Sequence, residues 1–160
     1  MHKQQLLRLI LASLEADLKL LTGAAKTSHH AATHEECQPD NKYDTTALEA
    51  SYLAQGQANR AREIRLALES YRSLQLQEFV AGTAIRLTAM VTLEADDGEV
   101  KRIFLGPEAG GLKIGEAGTE VVVITPHSPL GQKLLGRSVD DEISVHSQSV
   151  TRSYTITGVS

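Results

Sequence analysis

The chain has 160 residues, 20 acidic against 16 basic, for a formal net charge of −4. That balance excludes a protein that coats nucleic acid by neutralising phosphates, whose surface would be strongly basic, and it favours a protein partner. Hydrophobic residues make up 41% and aromatic residues 4%, with no Trp, so one ordinary domain or two small ones must be built on Leu, Ile, Val and Ala.

At the N-terminus Leu6, Leu7, Leu9, Ile10 and Leu11 form an apolar cluster, but Glu15 and Asp17 follow within two turns. No small-residue cleavage site closes the run and no stretch is long enough to span a bilayer, so neither a signal peptide nor a membrane segment is expected. The lone cysteine, Cys37, has no internal disulfide partner; together these features point to a cytoplasmic protein.

From Leu7 the positions Leu11, Leu14, Leu18, Leu21, Ala25, Ser28 and Ala32 alternate spacings of four and three. This is a heptad seam that narrows from Leu to Ala and Ser. A second seam runs through Ala47, Ala50, Ala54, Gln57, Ala61, Ile64, Leu68 and Tyr71, with its small residues first. Folded back antiparallel, small meets small at the tip and large meets large at the base. The sequence therefore predicts an antiparallel coiled-coil hairpin over residues 1–78, with arms of roughly 30 residues reaching about 45 Å. A globular domain over 79–160 follows.

Between the seams, Pro39 disfavours helix at Gln38 and should stop the first arm. Asp40, Asn41, Asp44 and Thr45 are each suitable N-caps for the second arm, and Thr46 with Glu49 matches a capping box. Four carboxylates, Glu35, Glu36, Asp40 and Asp44, fall within ten residues, against the single base Lys42. Asp40 and Asp44 also suit a helix N-terminus, whereas Glu35 and Glu36 close the first helix, where the dipole disfavours negative charge. His30, His34 and Cys37, spaced by four and three with His29 adjacent, read either as soft metal ligands on one helical face or as a solvated polar tip. On the second arm Arg60, Arg62, Arg65 and Arg72 read either as a solvated face or as a contact for acidic surfaces or RNA.

After about residue 80 the period changes to two. Ala84–Leu93 alternates as a half-buried strand, Asp96-Asp97-Gly98 supplies a turn, and Val100–Leu105 is its hairpin partner. Glu120–Thr125, Ile143–Val150 and Arg152–Val159 are further strands. Ser128 to Gly136 reads as a short helix, with Pro129 near its start and Gly136 at its end. The second half is thus α+β, a mostly antiparallel sheet with one short helix.

Two stretches resemble a known family. Ser128-Pro129-Leu130-Gly131-Gln132-Lys133-Leu134-Leu135-Gly136-Arg137, followed by Asp140-Asp141-Glu142-Ile143, is similar to the signature of the GreA/GreB transcription factors. The resemblance extends over nearly the whole chain. It implies an FKBP-like globular domain that docks on bacterial RNA polymerase at the rim of the secondary channel. Ser128, Pro129, Lys133, Gly136 and Arg137 would then be the polymerase-binding residues. Asp40-Asn41-Lys42-Tyr43-Asp44 resembles the family's acidic tip, with two departures. Cys37 stands three residues before Asp40, where the cleavage factors carry an acid, and Tyr43 is one place closer to Asn41.

By that resemblance the protein has no active site and no cofactor of its own. Asp40, Glu36 and Asp44 would act inside the polymerase, Asp40 and Glu36 sharing a Mg²⁺ supplied there, as hard oxygen donors do. The implied function is stimulation of cleavage of backtracked transcript, touching nascent RNA only indirectly and using no small-molecule substrate. Two alternatives stand: a related factor that occupies the channel without promoting cleavage, and an FKBP-like prolyl isomerase or chaperone. The last needs an aromatic-lined pocket, and the second half offers only Phe79, Phe104 and Tyr154.

Overall fold

Two helices take up the first half of the chain, α1 over Lys3–Thr33 and α2 over Thr46–Arg72. The computed structural model describes the backbone of residues 1–33 and 46–160, and the side chains of 1–23 and 47–160. The described parts of both seams appear in the burial, while the side chains of Ala25, Ser28 and Ala32 lie outside the described ones. On α1 Leu14 is buried while Leu7, Leu11, Leu18 and Leu21 are half-buried, and on α2 Ala61, Ile64, Leu68 and Tyr71 are buried. Ala47, Ala50, Ala54 and Gln57 are half-buried, so the small-residue part of the hairpin shields less surface than the large-residue part. Glu49 lies in the first turn of α2 and Arg72 in its last, each placed to favour the helix dipole. The other candidate starts of this helix, Asp40, Asn41, Asp44 and Thr45, lie outside the described residues.

The chain divides into two units, one of Leu11–Glu69 and one of Met1–Ile10 with Ser70–Ser160. Leu6 and Ile10, which flank the seam and are wholly buried, belong to the second.

That second unit holds a six-stranded sheet in the order β3-β4-β2-β1-β6-β5. Its strands are β1 Met90–Ala95, β2 Val100–Leu105, β3 Lys113–Ile114, β4 Val121–Ile124, β5 Glu142–Ser147 and β6 Val150–Val159. Helix α3, Pro129–Leu134, lies between β4 and β5 in the chain. β1 and β2 form a hairpin with Val91 opposite Ile103 and Leu93 opposite Lys101. Gly98 closes its turn at φ 84°, donating its N–H to Ala95 O at 2.9 Å, a conformation that costs glycine little. β5 and β6 form a second hairpin, which joins β1 through β6. Each of these pairs is antiparallel, as is β3–β4; β2 and β4 run parallel. The strand period of two sends Val91, Leu93, Ala95, Ile103, Leu105, Tyr154 and Ile156 into one core, which Leu134 of α3 and Ile143 complete.

One expected strand is shorter than its pattern. Residues 84–89 keep the alternation, with Ile85 and Ala89 buried, but the ladder begins only at Met90. Thr88 is the cause. It sits at φ 73°, a left-handed conformation, wholly buried, with its N–H donating to Leu105 O at 2.8 Å. Its hydroxyl accepts the N–H of Gln77 at 2.9 Å, so the residue ties the segment after α2 to the sheet instead of extending β1. Upstream, the Ile85 N–H donates to Arg137 O at 2.7 Å and Ile85 O accepts Gly136 N–H at 2.9 Å.

Candidate functional site

The Ser128–Arg137 segment is built from local rules that the structure satisfies one by one. Ser128 caps α3, its Oγ accepting the Gly131 N–H at 3.0 Å and donating to Thr125 O at 2.8 Å. Pro129 follows at the first helical turn, where its missing N–H costs nothing. Gly131 is required by space: a Cβ there would meet Thr125 O at 2.0 Å. Leu134 anchors the helix in the core. Gly136, at φ 79°, reverses the chain, and the Ser138 N–H is taken by Asp141 Oδ2 at 2.8 Å.

This architecture leaves a defined outer face. Pro129, Gln132, Gly136 and Arg137 are exposed, with Leu135 at 39% and Val139 at 36% exposure beside them. Arg137 makes no ion pair among the described residues, so its guanidinium is available to a partner. Lys133 is different: it is half-buried, and its Nζ donates to the carbonyl of Ser144 on β5. Ser128 is half-buried and spends its hydroxyl on the cap. The five residues expected from the sequence to bind a polymerase therefore differ in their surroundings. Ser128 and Lys133 are half-buried and engaged in hydrogen bonds, whereas Pro129, Gly136 and Arg137 are exposed.

A cleft of about 580 Å³ is lined by residues of strands β2 to β4 and by Leu130 of α3. Ile103, Val122, Ile124 and Leu130 give it an apolar lining, and Lys101, Lys113 and Glu120 carry charge into its wall. Lys113 pairs with Glu120 at 3.2 Å, and Lys101 Nζ donates to the Tyr154 hydroxyl at 2.8 Å. Glu99 and Arg102 line it as well, so its apolar floor is bordered by charged side chains. No sequence pattern announced this cleft, because its walls depend on how β2, β3, β4 and α3 pack together and not on any one of them.

Two further arrangements were not foreseen. Two cations lie over the Phe79 ring, Lys3 Nζ at 4.3 Å and the Arg86 guanidinium at 5.2 Å from the ring centre. Burial lowers the Lys3 pKa, against the opposing field of Glu78. Lys3 Nζ also donates to Gln77 O at 2.6 Å, and Arg86 to the Gln77 side chain. On β6, Arg152 bridges Asp97 and Glu99 of the β1–β2 turn.

The tip acids Glu35, Glu36, Asp40 and Asp44 lie outside the described residues, as do His34 and Cys37 and the side chains of His29 and His30. Among the described residues no group of His, Cys, Asp and Glu could hold a metal ion. Arg60, Arg62, Arg65 and Arg72 are all exposed on α2, with Arg60 paired to Glu63 at 3.0 Å. His127 and His146 are exposed, the latter bonded to Thr151 Oγ1 at 2.7 Å. No helix among the described residues is long and apolar enough to cross a membrane.

With this geometry in view, residues 81–160 match a family model described as the C-terminal domain of transcription elongation factor GreA/GreB. Among solved structures, the chain is similar to one described as the transcription factor Gfh1, at 24% identity over 95% of this chain and 90% of that one, with a TM-score of 0.42. It is similar to the GreA factor homolog Gfh1 of Thermus thermophilus, at 23% identity over 96% and 92%, TM-score 0.41. A GreA/GreB elongation factor from Nitrosomonas europaea is similar at 17% identity over 60% of this chain and 78% of its own, TM-score 0.39. No curated protein matches.

Proposed function

Because the chain belongs to the GreA/GreB family of transcription elongation factors, we propose that it binds bacterial RNA polymerase at the secondary channel and stimulates cleavage of backtracked transcript. The match of residues 81–160 to the family, which covers the whole sheet and α3, supports the polymerase-binding part of this reading, and the acids of the segment between α1 and α2 support the cleavage part. In this reading, the exposed face of α3 and the cleft that Leu130 helps to line hold the polymerase. Arg137 meets an acidic group, and the lining of Ile103, Val122, Ile124 and Leu130 takes an apolar one. The hairpin then delivers the segment that contains Glu36, Asp40 and Asp44 to the polymerase active site.

The chain itself brings carboxylates to that site. Carboxylate oxygens are hard donors of the kind Mg²⁺ takes, and a Mg²⁺ held in the polymerase would supply charge neutralisation at the scissile phosphate. Asp40 and Glu36 are the residues that would face it, with Asp44 beside them. Nascent RNA is reached only through the polymerase.

One observation favours a second reading. Cys37 occupies the position three residues before Asp40 where the family resemblance calls for an acid. A thiol is a soft ligand and a poor substitute for a carboxylate on Mg²⁺. In that reading the protein occupies the channel and modulates transcription without cleavage. Adding the protein to a stalled, backtracked elongation complex separates the two: cleavage stimulation shortens the RNA, whereas occupancy alone leaves it intact while the complex still binds the factor.

A further inference from the structure

We draw no further inference here: the strongest candidate, the cleft of about 580 Å³ lined by strands β2 to β4 and by Leu130 of α3, belongs to the docking site already proposed.

Discussion

The hydroxyl of Tyr71, the last seam residue of α2, donates to the carbonyl oxygen of Glu108 at 2.7 Å. Tyr71 is wholly buried, and it packs where Gly106 leaves room: a Cβ on Gly106 would lie 2.2 Å from the tyrosine oxygen. The end of the helix is thereby pinned to the loop that follows β2.

Tyr71→Phe keeps the ring and deletes the donor, leaving the Glu108 carbonyl without that partner. A loss of about 1 kcal/mol is expected, as for a typical intramolecular hydrogen bond, read from the urea midpoint at unchanged slope. The pH dependence follows from the same burial, which raises the Tyr71 pKa above its ordinary value near 10. A folded-state pKa above the unfolded one gives stability that is complete below about pH 10 and declines as pH rises beyond it, because only the unfolded chain releases the proton. The advantage of the wild type over Tyr71→Phe should therefore shrink above pH 10. An advantage that grows there would mean that the phenol is not held neutral.

Gly131→Ala tests whether α3 depends on close approach of backbones. In an ordinary helix interior the change would stabilise by up to about 1 kcal/mol. Here the new methyl would meet Thr125 O at 2.0 Å, a backbone atom that cannot swing aside. The variant should instead lose about 2 kcal/mol or more, within the range of overpacked sites, and thermal unfolding gives the sign directly.

Arg137 and Lys133 should respond differently although both are basic residues of one segment. Arg137→Glu should weaken binding to purified RNA polymerase while moving stability by no more than about 0.5 kcal/mol, as exposed substitutions do. Lys133→Glu removes the donor on Ser144 O and should lower both the melting temperature and the affinity. Equal melting temperatures for the two variants would show that the Lys133 bond contributes nothing to folding.

How much of this was legible beforehand varied with how local the signal was. The α3 segment could be read almost atom by atom, since Ser128, Pro129 and Gly136 each act within a few residues of themselves. The two seams were legible because a heptad repeat needs nothing beyond its own helix and its partner. Leu6 and Ile10 escaped that pattern: their burial is in the unit that holds the sheet, not along the seam. Residues 84–89 looked like strand because alternation records which side is buried, not whether the backbone is laddered. The left-handed turn at Thr88, stabilised from Gln77 and Leu105, left no mark in the pattern. Likewise β3 has only two residues, and the parallel pairing of β2 with β4 joins segments with an intervening loop and strand, so no adjacent turn announces it. The cleft lined in part by Leu130 was invisible because it depends on how several elements pack together. The tip acids, by contrast, rest on sequence alone.

The central claim turns on Asp40, and one comparison tests it: transcript cleavage in a backtracked RNA polymerase complex, with wild-type protein and Asp40→Asn at matched occupancy. An amide of the same shape is a much poorer partner for a hard cation than the carboxylate. The change at a possible cap should cost no more than about 1 kcal/mol of hairpin stability, so binding should survive. The account predicts RNA shortened by the wild type and left intact by Asp40→Asn, with both proteins bound to the same extent. Cleavage by Asp40→Asn at the wild-type rate would contradict it, and so would a wild-type protein that binds the complex and never shortens the RNA.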